Sequence, residues 1–265
     1  MPNVIEELDG YINKGQELTK AKPSKLALEL KQVVAEEKQR IKMDKTIQNK
    51  FEEEKKMRRD FAKQALKFAQ EMKDEYVKIG TIATTVARKE LLKKPEQPKD
   101  DLLVAEFNQE LKKLKTKAAI NMNGDELSQQ ISALLGKYSD KYFANELYDA
   151  YDALSASVLS SNGDVETRKK LARTFEQLES SALTEEQHKA KGVLEYFGDY
   201  ENTALFKDFL PAYQGISRTV GEQYAKYLND GNSGIEAIEN EEKAEFEKAQ
   251  AELLARSSRV SRFTF

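Results

Sequence analysis

The chain has 265 residues, of which 34% are charged and 39% hydrophobic, with a net charge of −3 and a mean hydropathy of −0.72. It contains no cysteine, which excludes disulfides, thiolate metal sites, iron–sulfur clusters and a cysteine nucleophile. The apolar content is low for a compact globule of this size and too rich in aliphatic and aromatic residues for a disordered chain, a balance that suits long helices with thin apolar stripes.

The opening MPNVIEELDG is acidic and lacks an apolar core, so no secretory signal is expected. No stretch approaches the roughly 18 consecutive apolar residues of a membrane-spanning helix. Together these make a cytoplasmic location the expectation. Residues 4–19 carry Val4, Ile5, Leu8 and Ile12 on one helical face, with Gly15 weakening the end. Pro23-Ser24 predicts a new helix start, with Ser24 as its cap. From Ser24 to about Lys94 there is no proline, and Gly80 is the only glycine. That stretch predicts one rod, bent near Gly80, of roughly 105 Å at about 1.5 Å per residue. Its apolar stripe runs through Leu26, Leu30, Val33, Ile41, Ile47, Phe51, Phe61, Ala65, Phe68, Met72, Tyr76, Ile79, Ile82 and Val86. Glu37, Asp44 and Glu54 interrupt the stripe and weaken any tight coiled-coil seam there.

The segment 94–100 (KPEQPKD) predicts a proline-punctuated linker, after which Asp100 or Asp101 caps a helix to about Asn121, ended by Asn123-Gly124. Beyond Asp125 shorter helices are expected, separated by Gly136, Asn162-Gly163, Gly192, Gly198, Pro211, Gly215 and 229–234. Thr184-Glu185-Glu186-Gln187 reads as a capping box. A last charged helix is expected over 234–256, followed by a tail, 257–265. The predicted fold is all-α: a long N-terminal helix, as an arm or a helical hairpin, followed by a compact bundle of shorter helices. Its segments are a short helix within 1–23, an elongated arm over 24–121 and a bundle over 125–230.

The halves differ in charge. Residues 1–120 hold 27 basic and 21 acidic side chains, against 16 and 25 in 121–265, and seventeen of the 23 aromatics lie in the second part. Opposite charges of this kind favour docking between copies or between halves.

Chemistry is scarce. His188 is the only histidine, so a Ser-His-Asp triad or an imidazole metal site would have to use it. Glu185-x-x-His188 has half of a di-iron carboxylate pattern, whose second half needs another histidine. No phosphate-binding loop, dinucleotide fingerprint or calcium loop can be placed: Ile131 stands where a glycine would precede Gly136-Lys137, and Ala119 and Gln130 occupy the carboxylate positions around Gly124. Glu52–Glu54, Glu241, Glu242, Glu245 and Glu247 sit in charged helical runs and read as solvated faces with i,i+4 partners. No catalytic residue, cofactor or metal ligand is predicted, and the chain is read as non-enzymatic.

Three binding readings remain. The cluster Lys55, Lys56, Arg58, Arg59 could neutralise nucleic-acid phosphates, but Glu52–Glu54 and Asp60 flank it. The segment 77–87 (VKIGTIATTVA) is a small apolar tongue of the kind found in helical membrane-active proteins. The groups Tyr138, Tyr142, Phe143, Leu147, Tyr151, Leu154 and Phe206, Phe209, Leu210, Tyr213 read as core faces. At the end of the chain, Arg259, Arg262, Phe263 and Phe265 form a basic, aromatic tail suited to docking on a partner.

Charged, cysteine- and tryptophan-free, with long helices and a short docking tail, the chain resembles in texture the helical scaffolding and minor structural proteins of tailed bacteriophages. The resemblance runs over the whole chain and rests on no motif, so it transfers no functional residues. It implies a structural or assembly protein that works through a protein partner, self-association or both. A nucleic-acid-associated helical protein and a membrane-active one are the alternatives.

Overall fold

The computed structural model describes residues 3–161 and 163–260, and leaves the side chains of 256–260 outside the description. Among the described residues all regular structure is helical. The helices are α1 (Val4–Gln16), α2 (Lys22–Met43), α3 (Lys50–Leu91), α4 (Asp101–Asn121), α5 (Gly124–Lys137), α6 (Lys141–Ser161), α7 (Val165–Ala182), α8 (Glu185–Tyr196), α9 (Pro211–Val220), the single turn α10 (Glu222–Ala225) and α11 (Gly231–Val260). A π-helical turn, Glu17–Ala21, joins α1 to α2. The expected all-α fold, with a long N-terminal helix and a helical bundle, is therefore present.

The helix boundaries near the N-terminus differ from the sequence reading in two places. Ser24 does not start a helix. It lies inside one, and its Oγ donates to the Lys20 carbonyl at 2.9 Å. Pro23 would break an ordinary α-helix by removing a donor and crowding the carbonyl four residues back. Here the π-turn widens the spiral just before it, with the Lys22 N–H reaching the Glu17 carbonyl, so the helix continues through. The second correction concerns the predicted rod, which is broken at 44–49 and not at Gly80. The Asp44 carboxylate accepts from the Thr46 N–H at 2.8 Å and from its hydroxyl at 2.7 Å. The Asn49 side chain then accepts from the Glu52 N–H at 3.2 Å and caps α3. Such short-range side-chain bonds compete with the helical ladder and win where no tertiary packing opposes them.

The chain divides into two compact units assembled from segments distant in sequence. One comprises Met1–Asp9 and Thr84–Tyr196, the other Gly10–Ala83 and Phe197–Phe265.

In the first unit α4, α5, α6 and α7 pack around one core. Its centre is a triangle of Phe107, Tyr138 and Phe143, with ring centroids 4.7–5.2 Å apart. The helix ends follow their sequence signals closely. Asp100 accepts from Leu102 and Leu103 N–H, both at 3.1 Å. Asn123 and Glu126 form a reciprocal capping box that starts α5, where the sequence suggested only the end of α4. The Thr184–Gln187 box forms as expected, at 2.9 and 3.2 Å. Gln187 does more than cap. Its buried Nε2 donates to the Lys93 carbonyl at 2.7 Å, satisfying the C-terminal end of α3.

In the second unit α2 packs on α9, with the Ala27 methyl 3.4 Å from where a Cβ on Gly215 would stand. The buried side of α3 in this unit consists of Met57, Ala62, Ala65, Leu66, Ala69, Met72, Tyr76 and Ala83. This face is richer in alanine than the predicted stripe, because neighbours come close enough that only small side chains fit. Gly80 belongs to it. A Cβ there would stand 2.5 Å from the Tyr200 ring, so the glycine serves close packing, and the helix runs unbroken through it. Lys22 pairs with Glu75 at 2.8 Å, holding α2 antiparallel to α3 as the second arm of a helical hairpin.

Candidate interaction surface

α11 starts directly on α3. Its Gly231 N–H donates to the Gln70 Oε1 at 3.0 Å, and the helices then run antiparallel through three ion pairs: Lys63–Glu242 at 2.7 Å, Arg59–Glu245 at 2.7 Å and Lys55–Glu245 at 2.5 Å. Glu241 accepts from the Tyr224 hydroxyl at 3.2 Å. These carboxylates therefore bridge helices, whereas the sequence suggested solvated faces with partners four residues away. Arg59 is buried, its Nη2 on Glu245 while its Nε has no partner. Beside this zipper lies an open, charge-lined groove of roughly 810 Å³ that includes Glu53, Lys56, Phe246 and Glu252.

The Glu245 carboxyl is held below its ordinary value of 4.5 by hydrogen bonds from Lys55 and then Arg59, which outweigh its partial burial. A carboxyl with a lowered folded pKa adds stability above its unfolded value and loses that contribution as the pH falls through the folded one. The side chain is 40% exposed, so solvent screening keeps the term below about 1 kcal/mol. The stability advantage of wild type over Glu245→Gln should be present at neutral pH, shrink below pH 4.5 and diminish in high salt. Urea titrations at several pH values would measure it, and an advantage that persists unchanged into strong acid would contradict the assignment.

Large apolar side chains are exposed at scattered positions, among them Leu28, Leu92, Leu102, Ile120 and Val165, and they recur on two stretches. On the α2–α3 hairpin, Leu26, Leu30 and Val33 face Phe61, Ala65 and Phe68 across a groove of roughly 230 Å³. Val33, Phe68 and Ile82 are more than two-fifths exposed, and Phe51, at the start of α3, is 74% exposed. On α11, Phe246, Leu253 and Leu254 are 62–70% exposed. The sequence reading passed over this second stretch, because the charged residues between those positions dominate its composition. The available signal was the spacing of Phe246, Ala249 and Leu253 by three and four residues.

The sequence-predicted docking residues fall at the edge of the described chain. Arg259 lies within the α11 backbone, its side chain outside the description, and Arg262, Phe263 and Phe265 lie outside the described residues. The final helix extends to Val260, beyond the expected 256. Of the basic cluster, Lys55 and Arg59 are engaged by Glu245, leaving Lys56 and Arg58 exposed. His188 is exposed on α8, its Nε2 3.5 Å from the Ser180 carbonyl. Among the described residues no group of three or more His, Asp or Glu is placed to hold a metal ion.

The tongue 77–87 is part of α3, with Ala83, Thr84 and Ala87 buried. Among the described residues no helix is long and apolar enough to cross a membrane. Of the two aromatic groups, the one from Tyr138 to Leu154 is core, Tyr142 being only half-buried. In the other, Phe206 is buried but Phe209 is 69% exposed, because α9 starts only at Pro211 and helical spacing does not apply before it. No family model matches the chain, and no curated protein or solved structure matches it either.

Proposed function

We propose that this chain is a non-enzymatic structural or assembly protein that acts through protein–protein contacts, as a scaffolding or minor structural component of a virion. The observation that carries the reading is the run of large apolar side chains left exposed on long charged helices: Val33, Phe51, Phe68 and Ile82 on the hairpin, and Phe246 and Leu253 on α11. Single exposed apolar residues are ordinary, but a cluster of them, as at Leu26, Val33, Phe61 and Phe68 beside the α2–α3 groove, marks a contact surface. Long helices suit assembly because they space such contacts over tens of ångströms. The tail residues Arg259, Arg262, Phe263 and Phe265 add a basic aromatic end to the same set of contacts.

Nucleic-acid binding by the basic cluster is the weaker reading, since two of its four cations already serve Glu245. Size-exclusion chromatography with light scattering, run over a range of concentrations, tests the proposal. The expected mass rises above the 30.2 kDa of one chain as concentration increases. A single-chain mass at every concentration would overturn it.

A further inference from the structure

We infer that the C-terminal half of α4 is a nucleic-acid-binding surface, on which Lys112, Lys113, Lys115 and Lys117 neutralise backbone phosphates without regard to base sequence. The inference goes beyond the assembly reading and uses a different part of the chain.

Four of the six residues from Lys112 to Lys117 are lysine, and no acidic residue occurs from Leu111 to Gly124. All four lysines are exposed. None forms an ion pair among the described residues, whereas Lys94, Lys137, Lys170 and Lys191 of the same unit each hold a carboxylate. The core side of α4 is Val104, Phe107, Leu111, Leu114 and Ala118. Helical spacing puts Gln109, Thr116 and Ile120 opposite that side, with Lys112 and Lys115 on one flank and Lys113 and Lys117 on the other. The hollow along this face is lined by α4 residues alone, so no other described element covers it. Carboxylates nearby are engaged elsewhere. Glu110, close to Lys113, holds Lys137 at 2.6 Å. Glu126, which shares a hollow with Lys117, closes the capping box of α5. Asp125 pairs with Lys170 at 2.8 Å. Glu106 is exposed nearer the start of α4 and ends the basic face. The helix dipole favours cations only in the last turn, so it does not account for lysines placed before it.

The composition of the face selects the partner. Protein–protein interfaces favour aromatic residues, Met and Arg and are poor in Lys. A helix that lies on a membrane needs an apolar side rich in Trp, Phe or Leu, and the exposed large apolar side chains of α4 are Leu102 and Ile120, one near each end. Duplex DNA carries one negative charge per about 1.7 Å of its axis. The four lysines place four positive charges along about 7.5 Å of helix, a similar density, and Gln109 adds an uncharged donor for phosphate oxygens. Lysine acts as a flexible point charge, which suits contact without a fixed register. The basic cluster of α3 is less free, since Lys55 and Arg59 already serve Glu245.

Fluorescence anisotropy of a short labelled DNA duplex tests the inference. Wild type should bind with a Kd in the micromolar range at about 50 mM salt and weaken roughly 100-fold by about 200 mM, because each neutralised phosphate contributes about 0.9 to the logarithmic salt slope. Lys112→Gln/Lys113→Gln/Lys115→Gln/Lys117→Gln should bind at least about tenfold more weakly, with a slope shallower by about three. Lys56→Gln/Arg58→Gln on α3 should change neither quantity. All six positions are exposed, and circular dichroism checks that both variants are folded. Absence of duplex binding by wild type at low salt would overturn the inference, as would a quadruple variant that binds equally well or a loss confined to the α3 variant. A wild type that binds vesicles of phosphatidylserine and phosphatidylcholine but not the duplex would overturn nucleic acid as the partner. The light-scattering test of assembly is independent of each of these results.

Discussion

Phe107→Ala should lower the stability of the first unit by about 3–5 kcal/mol, the range for deleting a fully buried aromatic side chain. Phe107 has no exposed surface, and its ring meets Tyr138 at 5.2 Å and Phe143 at 4.7 Å. Removing it takes away the shared member of the aromatic triangle and leaves a cavity lined by rings too stiff to fill it. These rings come from α4, the C-cap of α5 and α6, so the loss weakens the junction of three helices at once. Phe107→Leu retains most of the volume and should cost less. Urea unfolding followed by far-ultraviolet circular dichroism would measure both, and a loss for Phe107→Ala below about 1 kcal/mol would mean that this cluster is not the centre of the core.

In the second unit, Gly231→Ala should be destabilising by about 1–3 kcal/mol, the usual cost of overpacking. Judged locally, the expected sign is the opposite: glycine at the start of a helix with an ordinary backbone angle usually gains from replacement by alanine. At Gly231, however, an added Cβ would stand 2.2 Å from the Leu66 carbonyl oxygen of α3 and 3.0 Å from the Gln70 Cβ. The first of these is backbone of a long helix and cannot rotate aside, so α11 would have to lift away and strain the Gly231–Gln70 hydrogen bond. Gly192→Ala is the matched control. It lies inside α8 with nothing within 4 Å of the added carbon and should stabilise by about 0.5–1 kcal/mol. If both substitutions changed stability in the same direction, the close contact between α11 and α3 would be refuted.

Local signals in this chain were readable wherever a short side chain satisfies the first N–H groups of a helix. Asp100 sets the start of α4 and Thr184 the start of α8, and both act over three residues. The same kind of signal was present at Asp44 and Asn49, but Asp44 was read as an interruption of an apolar stripe and Asn49 was passed over. Glycine was the other source of error. Gly136, Gly192 and Gly215 look like breaks and lie inside helices, while Gly80 looks like a hinge and is a packing site for Tyr200. A glycine that permits a turn and one that permits a close neighbour are indistinguishable in sequence, because the neighbour comes from more than a hundred residues away.

The interaction surface was less legible than the fold. A charged helix such as α11 offers many carboxylates, and nothing in their spacing tells Glu245, which spans to Arg59 and Lys55, from Glu247, which is exposed. The apolar stripe on α3 was located only approximately. Large residues such as Phe51 and Phe68 are exposed, and alanines at 62, 65, 69 and 83 are buried, because contact distance between helices, not side-chain size, decides which face turns inward.

By itself the sequence determined the helical class, the absence of cysteine chemistry and the helix starts at 101 and 185, since each depends on composition or on bonds that reach only a few residues. Only the tertiary structure decided that α2 folds back on α3, that α11 is clamped along its first half and exposed along its second, and which carboxylates are engaged. Those outcomes depend on the free energy of contacts between segments far apart in the chain, which no local pattern of residues encodes.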